Sequence, residues 1–178
     1  MNSDWNQLDL ARQGDETAWQ VLVDRHSPRL LKMVTLITGS PAASQDIIQH
    51  TFLELYRKGP RHNRGSLQGY LSTVAYHQAL KEKRRAKNLK PLDDISLPAR
   101  NRTPLDIALA EEKERIIYDV VQSLEKSYRD ILILRFYGEH GYKEIAGISG
   151  LPLGTVKSRV FNALKRFRVL LHEKGDLE

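Results

Sequence analysis

The sequence predicts an all-α protein: two small helical domains joined by a flexible linker, the C-terminal one containing a helix-turn-helix. Three observations carry this prediction. Apolar residues recur at helical spacing through both ends of the chain, and the period-two alternation of strands is almost absent. A polar stretch with three prolines and no sustained period, NLKPLDDISLPARNRTP, separates the two ends. Near the C-terminus an apolar-periodic segment, Tyr142 to Ile148, meets Gly150-Leu151-Pro152-Leu153-Gly154 and then a strongly basic periodic segment. Two helices around a glycine-containing turn are expected there.

The elements follow in order. Residues 4–12 form a short helix. A long one covers 15–37, with Asp15 as N-cap and Trp19, Leu22, Val23, His26, Leu30, Val34 and Ile37 near one stripe. Pro28 is a candidate kink. Gly39-Ser40-Pro41 ends that helix, with Ser40 capping the next and Pro41 at its first position. The third helix, about 41–57, sets Ile47, Ile48, Thr51, Phe52, Leu55 and Tyr56 on or near a buried face, and Gly59-Pro60 stops it. A basic loop follows, then a helix over about 67–86 that ends in Lys81-Glu82-Lys83-Arg84-Arg85. The linker is 87–104, which can span at most ~60 Å when extended. Helix returns over about 105–123. Ser127-Tyr128-Arg129-Asp130 fits a capping box ahead of the run Ile131 to Phe136. The expected domains are therefore 1–86 and 105–178.

Composition narrows the function. The 178 residues carry 28 Lys and Arg against 22 Asp and Glu, a net charge of +6, which suits a polyanionic partner. The absence of cysteine removes disulfides, Cys-based zinc sites and thiol catalysis, and fits a reducing compartment. The start, MNSDWNQLDLARQGDE, has no apolar core and does not read as a secretory signal. No run is long enough to span a membrane. A cytoplasmic location without direct membrane insertion is expected. No P-loop, GxGxxG or HExxH occurs, and the six histidines are scattered. The reading is no enzyme, no cofactor and no metal.

Two surfaces stand out. On the basic C-terminal helix, 100° per residue puts Val156, Val160, Ala163, Leu164, Phe167 and Leu171 on one face. Thr155, Ser158, Asn162, Lys165 and Arg166 point the other way, with Lys157, Arg159 and Phe161 on the flanks. Hydroxyl, amide and cationic groups together can read base edges and hold phosphates. The second surface is the segment 57–86, where Arg57, Lys58, Arg61, His62 and Arg64 are followed by Tyr70, Tyr76 and His77 and by the Lys/Arg cluster. Cations follow a phosphate backbone and rings can stack on unpaired bases. The two tyrosines can also be core aromatics, which is the more common fate of such residues. In the loop, Arg61, Asn63, Arg64 and Ser66 are well placed to hold single-stranded DNA. On the 41–57 helix, Asp46 and Gln49 beside large apolar residues suit either a solvated face or a docking groove. A stand-alone regulator with a helical sensor domain and a helical adaptor protein remain open on these grounds.

Four segments, in order along nearly the whole chain, carry a resemblance: GDETAWQVLVDRH, QDIIQHTFLELYRK, SLEKSYRDILILRFY and EIAGISGLPLGTVKSRVFNALKRFR. The chain resembles the extracytoplasmic-function sigma factors of bacterial RNA polymerase. The resemblance implies binding to core RNA polymerase through Asp46, Gln49 and Phe52. It implies recognition of a partly melted −10 element by the loop 58–66 and the helix from Ser66 to Arg85, giving Arg61, Asn63, Arg64, Ser66, Tyr70, His77, Lys81, Arg84 and Arg85. It implies readout of duplex −35 promoter DNA by the helix 155–167, where Lys157, Ser158, Arg159, Phe161 and Asn162 join Thr155, Lys165 and Arg166. Control by a separate anti-sigma factor is a further implication. Tyr70 stands where the family commonly has Trp, and His77 where it often has Asn. Gly141 replaces a usual Ser at the N-cap of the first helix of the helix-turn-helix. Gly147 lies inside that helix, at about 1 kcal/mol against Ala.

Overall fold

Short-range capping sets most of the helix ends. The computed structural model describes residues 3–59, 65–89 and 112–174. Among these it contains eight α-helices and no strand. They are α1 Asp4–Arg12, α2 Glu16–Thr38, α3 Pro41–Lys58, α4 Leu67–Leu89, α5 Glu112–Ser123, α6 Lys126–Phe136, α7 Tyr142–Ser149 and α8 Leu153–Glu173. The Ser3 and Asp15 side chains accept from Asn6 N and Ala18 N at the starts of α1 and α2. Ser40 does the same for α3, with Pro41 in the first turn. Gly39 ends α2 in the left-handed region, φ 70°, with its N–H on Thr35 O at 2.8 Å. Pro28 lies inside α2, which continues through it to Thr38.

Three expectations need correction. Ser127 is not an N-cap: α6 begins at Lys126, and Tyr128 N and Arg129 N donate to Glu125 O, which makes Glu125 the turn of entry. Asp130 pairs with Lys126 Nζ at 3.0 Å, one helical turn back, rather than closing a capping box. Leu153 and Gly154 belong to the first turn of α8, not to the break before it, because Pro152 already takes the cap position and the ladder starts with Val156 N on Pro152 O. Finally, residues 87–89, assigned to the linker, are still helical, while 90–111 lie outside the described residues. So does the first part of the helix expected over 105–123.

The chain divides into two compact units. One is Met1–Leu80 with Tyr137–Glu139, the other Lys81–Phe136 with His140–Glu178. The division falls inside α4, four or more residues before the end the sequence suggested, and no break in the helix marks it. In the first unit α2 packs on α1 and α3. Its core holds Leu8, Leu22, Leu30, Met33, Ile37, Leu55, Leu67 and Leu71. The spacing of Leu67, Leu71, Ala75 and Ala79 turns one stripe of α4 inward. In the second unit four successive residues of α6, Ile131 to Leu134, are buried. A helix apolar on all sides belongs at the centre. Here α8 packs on α5, α6 and α7, closing a cluster of Val120, Leu124, Leu132, Ala163 and Leu170.

Candidate nucleic-acid interface

Helices α7 and α8 meet at Gly150, whose φ of 69° lets its N–H return to Ala146 O and turn the chain sharply. Gly141 has no side chain to cap α7. Glu144 Oε2 instead accepts from Gly141 N at 2.7 Å, so one of the orphan amides is served from within the first turn. The approach to α7 is also pinned: His140 N donates to Leu134 O, and Arg135 Nη1 donates to His140 O, both at 3.2 Å. His140 is buried, and burial pushes its imidazole below its ordinary value of 6.5. Glu144, whose Oε2 lies 3.9 Å from Nδ1, works weakly the other way.

This scaffold sets the face of α8. Val156, Val160 and Ala163 are buried, and Leu164, Phe167 and Leu171 are partly buried against the cluster behind them. That is the inward face expected from spacing, with Leu170 added. Lys157, Ser158, Asn162, Lys165 and Arg166 are exposed. Thr155 and Arg159 are half-buried, at the edges of the packed face. Phe161 is 70% exposed. An aromatic so placed on a basic helix gains nothing from the fold and offers an apolar contact to a partner. Ser158 Oγ donates to Thr155 O at 3.0 Å, which leaves its lone pairs as acceptors.

The second surface is only partly described. Arg61, Asn63 and Arg64 lie outside the described residues. Ser66 serves as N-cap of α4, accepting from Gly69 N at 3.0 Å, so its hydroxyl has a structural duty that the sequence reading did not assign. His77, Lys81, Arg84 and Arg85 are exposed, and Tyr70 is half-buried. At three- and four-residue spacing these five share one face of α4. Burial and then the nearby Glu54 carboxylate push the Tyr70 phenol up, and Arg12 opposes them. Tyr76 is buried, so of the two tyrosines left undecided it is the core aromatic.

On α3 the side chains divide differently from expectation. Asp46 and Gln49 are exposed. Phe52 is 5% exposed and meets Trp19 edge-on at 5.8 Å between ring centroids. It supports the surface from beneath instead of forming part of it. Tyr56, expected near the buried face, is 44% exposed beside Trp19, and Leu53 is 46% exposed. The signal for both was present: positions 46, 49, 53 and 56 follow helical spacing and form one exposed stripe. Among the described residues no group of His, Asp and Glu is arranged to hold a metal ion, and no helix is long and apolar enough to cross a membrane.

Comparison with known proteins finds relatives for both segments. Residues 22–89 match the family model described as Sigma-70 region 2, and residues 114–167 match that described as Sigma-70, region 4. The ECF RNA polymerase sigma-E factor of Haemophilus influenzae is 27% identical over 168 residues, 88% of this chain and 88% of its own. The sigma factor CarQ of Myxococcus xanthus is 26% identical over 171 residues, covering 94% and 95%. The ECF sigma factor SigE of Mycolicibacterium smegmatis is 25% identical over 162 residues, 87% of this chain but 63% of that longer protein. Two solved structures share the fold. CnrH in complex with the cytosolic domain of CnrY superposes with a TM-score of 0.65 at 18% identity, covering 97% of this chain and 99% of that one. The sigma factor RpoE in complex with the anti-sigma factor NepR from Bartonella quintana gives 0.59 at 23%, covering 86% and 96%.

Proposed function

This chain belongs to the sigma-70 family, in its extracytoplasmic-function group, and we infer from that membership and from its surfaces how it works. It is an RNA polymerase sigma factor that directs promoter recognition. Residues 1–86 act as the core-polymerase-binding and −10 domain, with α4 running on to Leu89, residues 90–104 as the linker and 105–178 as the −35 domain. Core RNA polymerase docks on α3, where Asp46 and Gln49 supply polar contacts, Leu53 and Tyr56 apolar ones, and Phe52 keeps the helix in place. The −10 element, partly melted, is held by Arg61, Asn63 and Arg64 and by the α4 face carrying Tyr70, His77, Lys81, Arg84 and Arg85. Duplex −35 DNA is read by Ser158, Asn162 and Phe161, with Thr155, Lys157, Arg159, Lys165 and Arg166 on the phosphates and groove edges.

The protein is not an enzyme. It contributes binding energy and strand selection, and polymerase performs the chemistry, in the cytoplasm where both are found. An anti-sigma protein is the regulatory partner, as in the Bartonella complex, and acts by covering the surfaces that DNA and polymerase need. Tethering to polymerase raises the effective concentration of two modest DNA contacts, so binding is weak for the free chain and strong in holoenzyme. The observation that carries this reading is the order of the two matched regions in one chain, each with an exposed basic helix face. Run-off transcription with bacterial core polymerase and a genomic-fragment promoter library tests it. Discrete transcripts that need this protein, and vanish when Asp46 and Gln49 are both replaced by Ala, are the expected result. Absence of transcripts, with the free chain retaining a palindromic duplex, would instead establish a stand-alone regulator.

A further inference from the structure

Helix α1 lies outside residues 22–89, the span matched to region 2, yet it reaches both ends of the connection between α3 and α4. Trp5, Leu8 and Arg12 are spaced three and four apart and share one face. Leu8 is fully buried and seats the helix. On either side of it, the two polar-tipped side chains point along the domain to different places. Arg12 Nη2 donates to Leu55 O at 2.9 Å and to Gly59 O at 2.8 Å. A half-buried guanidinium at the C-terminal end of α3 adds a second donor to Leu55 O, which already accepts from Gly59 N, serves the cap carbonyl of Gly59, and matches the negative end of the helix dipole. Trp5 Nε1 donates to Gly65 O at 3.1 Å, where the chain takes φ 91° just before Ser66 caps α4.

Two further observations point to the same construction. Gly59 leaves no room for a side chain: a Cβ there would sit 2.4 Å from Leu55 O and 3.0 Å from Arg12 Nη2. Glycine at this position is required by the close approach of Leu55 O, with Arg12 Nη2 crowded against the same spot. The first turn of α1 is also connected to the first turn of α4. Asp4 Oδ2 lies 3.2 Å from His26 Nε2, and His26 Nδ1 lies 2.7 Å from Gln68 Oε1, with His26 and Gln68 both buried. Asp4 pairs with Arg25 as well. So α1 is fixed to the end of α3, to Gly65 just ahead of the Ser66 cap and, through α2, to α4 itself.

We propose that α1 is a strut for −10 recognition, and that Trp5 and Arg12 are positioning residues which set Gly59 and Gly65, and with them the start of α4, for capture of the single-stranded −10 element. This rests on the sigma-factor reading above. Neither residue needs to touch DNA. Each holds a backbone carbonyl whose displacement would turn the −10 face of α4 relative to the residues that precede it.

The test uses holoenzyme formed from core polymerase and the full-length chain. Its probe is a fluorescently labelled single-stranded oligonucleotide carrying the nontemplate −10 sequence read from the run-off transcripts. Trp5→Phe keeps an aromatic six-membered ring and loses the five-membered ring that carries the N–H. Arg12→Lys keeps the charge on a shorter side chain that falls short of the two carbonyls Nη2 bonds, and Gly59→Ala puts a Cβ against Leu55 O and crowds Arg12 Nη2. Asn6→Ala, exposed and off the face that carries Trp5, Leu8 and Arg12, is the control. Loss of one hydrogen bond of ordinary strength lowers oligonucleotide affinity about 3- to 10-fold. Discrimination between the native and base-substituted −10 strands should narrow with it. Affinity for core polymerase and for a −35 duplex should stay within about twofold, since a shift of that size is below what a lost hydrogen bond gives. Unchanged strand capture and discrimination in both Trp5→Phe and Arg12→Lys overturn the proposal. So does a loss that runs in parallel with core and −35 binding, which would mark plain destabilisation. Wild-type holoenzyme that captures no −10 strand removes the sigma-factor reading itself and the proposal with it.

Discussion

Two glycines three residues apart in the helix-turn-helix should respond to alanine with opposite signs. A Cβ added at Gly147 or at Gly150 meets nothing within 4 Å, so steric clash contributes to neither substitution. What remains is the backbone. Gly147 lies within α7 and is exposed, so Ala there removes conformational freedom from the unfolded chain and stabilises by about 0.5–1 kcal/mol. Gly150 has φ 69°, where an L side chain meets its own carbonyl, so Ala destabilises by roughly 1–2 kcal/mol. The two variants should therefore differ by roughly 2 kcal/mol, or about 1 M in the urea midpoint. Gly150→Asn should recover part of the loss, because Asn tolerates the left-handed region. The assay is urea unfolding of the full chain followed by far-UV circular dichroism, with the −35 affinity of each holoenzyme measured alongside. Gly147→Ala should leave that affinity within about twofold, because it adds stability without altering the exposed face of α8. Equal signs for the two alanine variants, or Gly150→Asn as damaging as Gly150→Ala, would refute the reasoning.

Other outcomes follow from the same structure. Replacing Ser158 or Asn162 by Ala should relax base preference at the −35 element by about 1–3 kcal/mol. Replacing Lys165 or Arg166 should weaken binding to all sequences and flatten its salt dependence by about 0.9 per lost phosphate contact. A promoter-variant series read at several salt concentrations separates the two classes. Burial holds the folded-state pKa of His140 below 6.5, so the unfolded chain takes up this proton first as pH falls. The stability His140 contributes is thus complete above pH 6.5 and is lost as pH drops through the lowered value. Urea midpoints taken from pH 7.5 downward should decline less steeply in His140→Gln than in wild type. On α3, Phe52→Ala should destabilise the protein by about 3–5 kcal/mol, as expected for a buried aromatic. Asp46→Ala and Gln49→Ala should change the stability to urea by no more than about 0.5 kcal/mol while lowering transcription, a split visible by comparing unfolding with run-off yield.

Much of the fold was legible because its determinants are local. Asp15, Ser40, Gly39 and Gly150 act on amides or carbonyls three to five residues away, so the sequence near each one is enough to locate a helix end. The inward stripe of α8 was equally readable, since it depends only on helical spacing. Local reasoning failed where two local solutions compete. Ser127 looks like an N-cap, but Glu125 already makes the turn and the helix starts one residue before Ser127. Leu153-Gly154 looks like a break, but Pro152 ends the turn sooner.

By itself, then, the sequence determined the helical class, most helix boundaries, the helix-turn-helix and the exposed basic face of α8, because each is encoded by interactions within a turn or two of helix. The tertiary structure decided which α3 aromatic is buried: Phe52 and Tyr56 both meet Trp19 edge-on, yet only Phe52 is covered. It also decided what α1 does. The bonds from Arg12 to Leu55 and Gly59 cross 43 and 47 residues, and the bond from Trp5 to Gly65 crosses 60. Nothing in the composition around Trp5 or Arg12 encodes those partners. They become neighbours only when buried side chains such as Leu8, Leu22 and Leu55 exclude water together, and that is a property of the packed core rather than of any one segment.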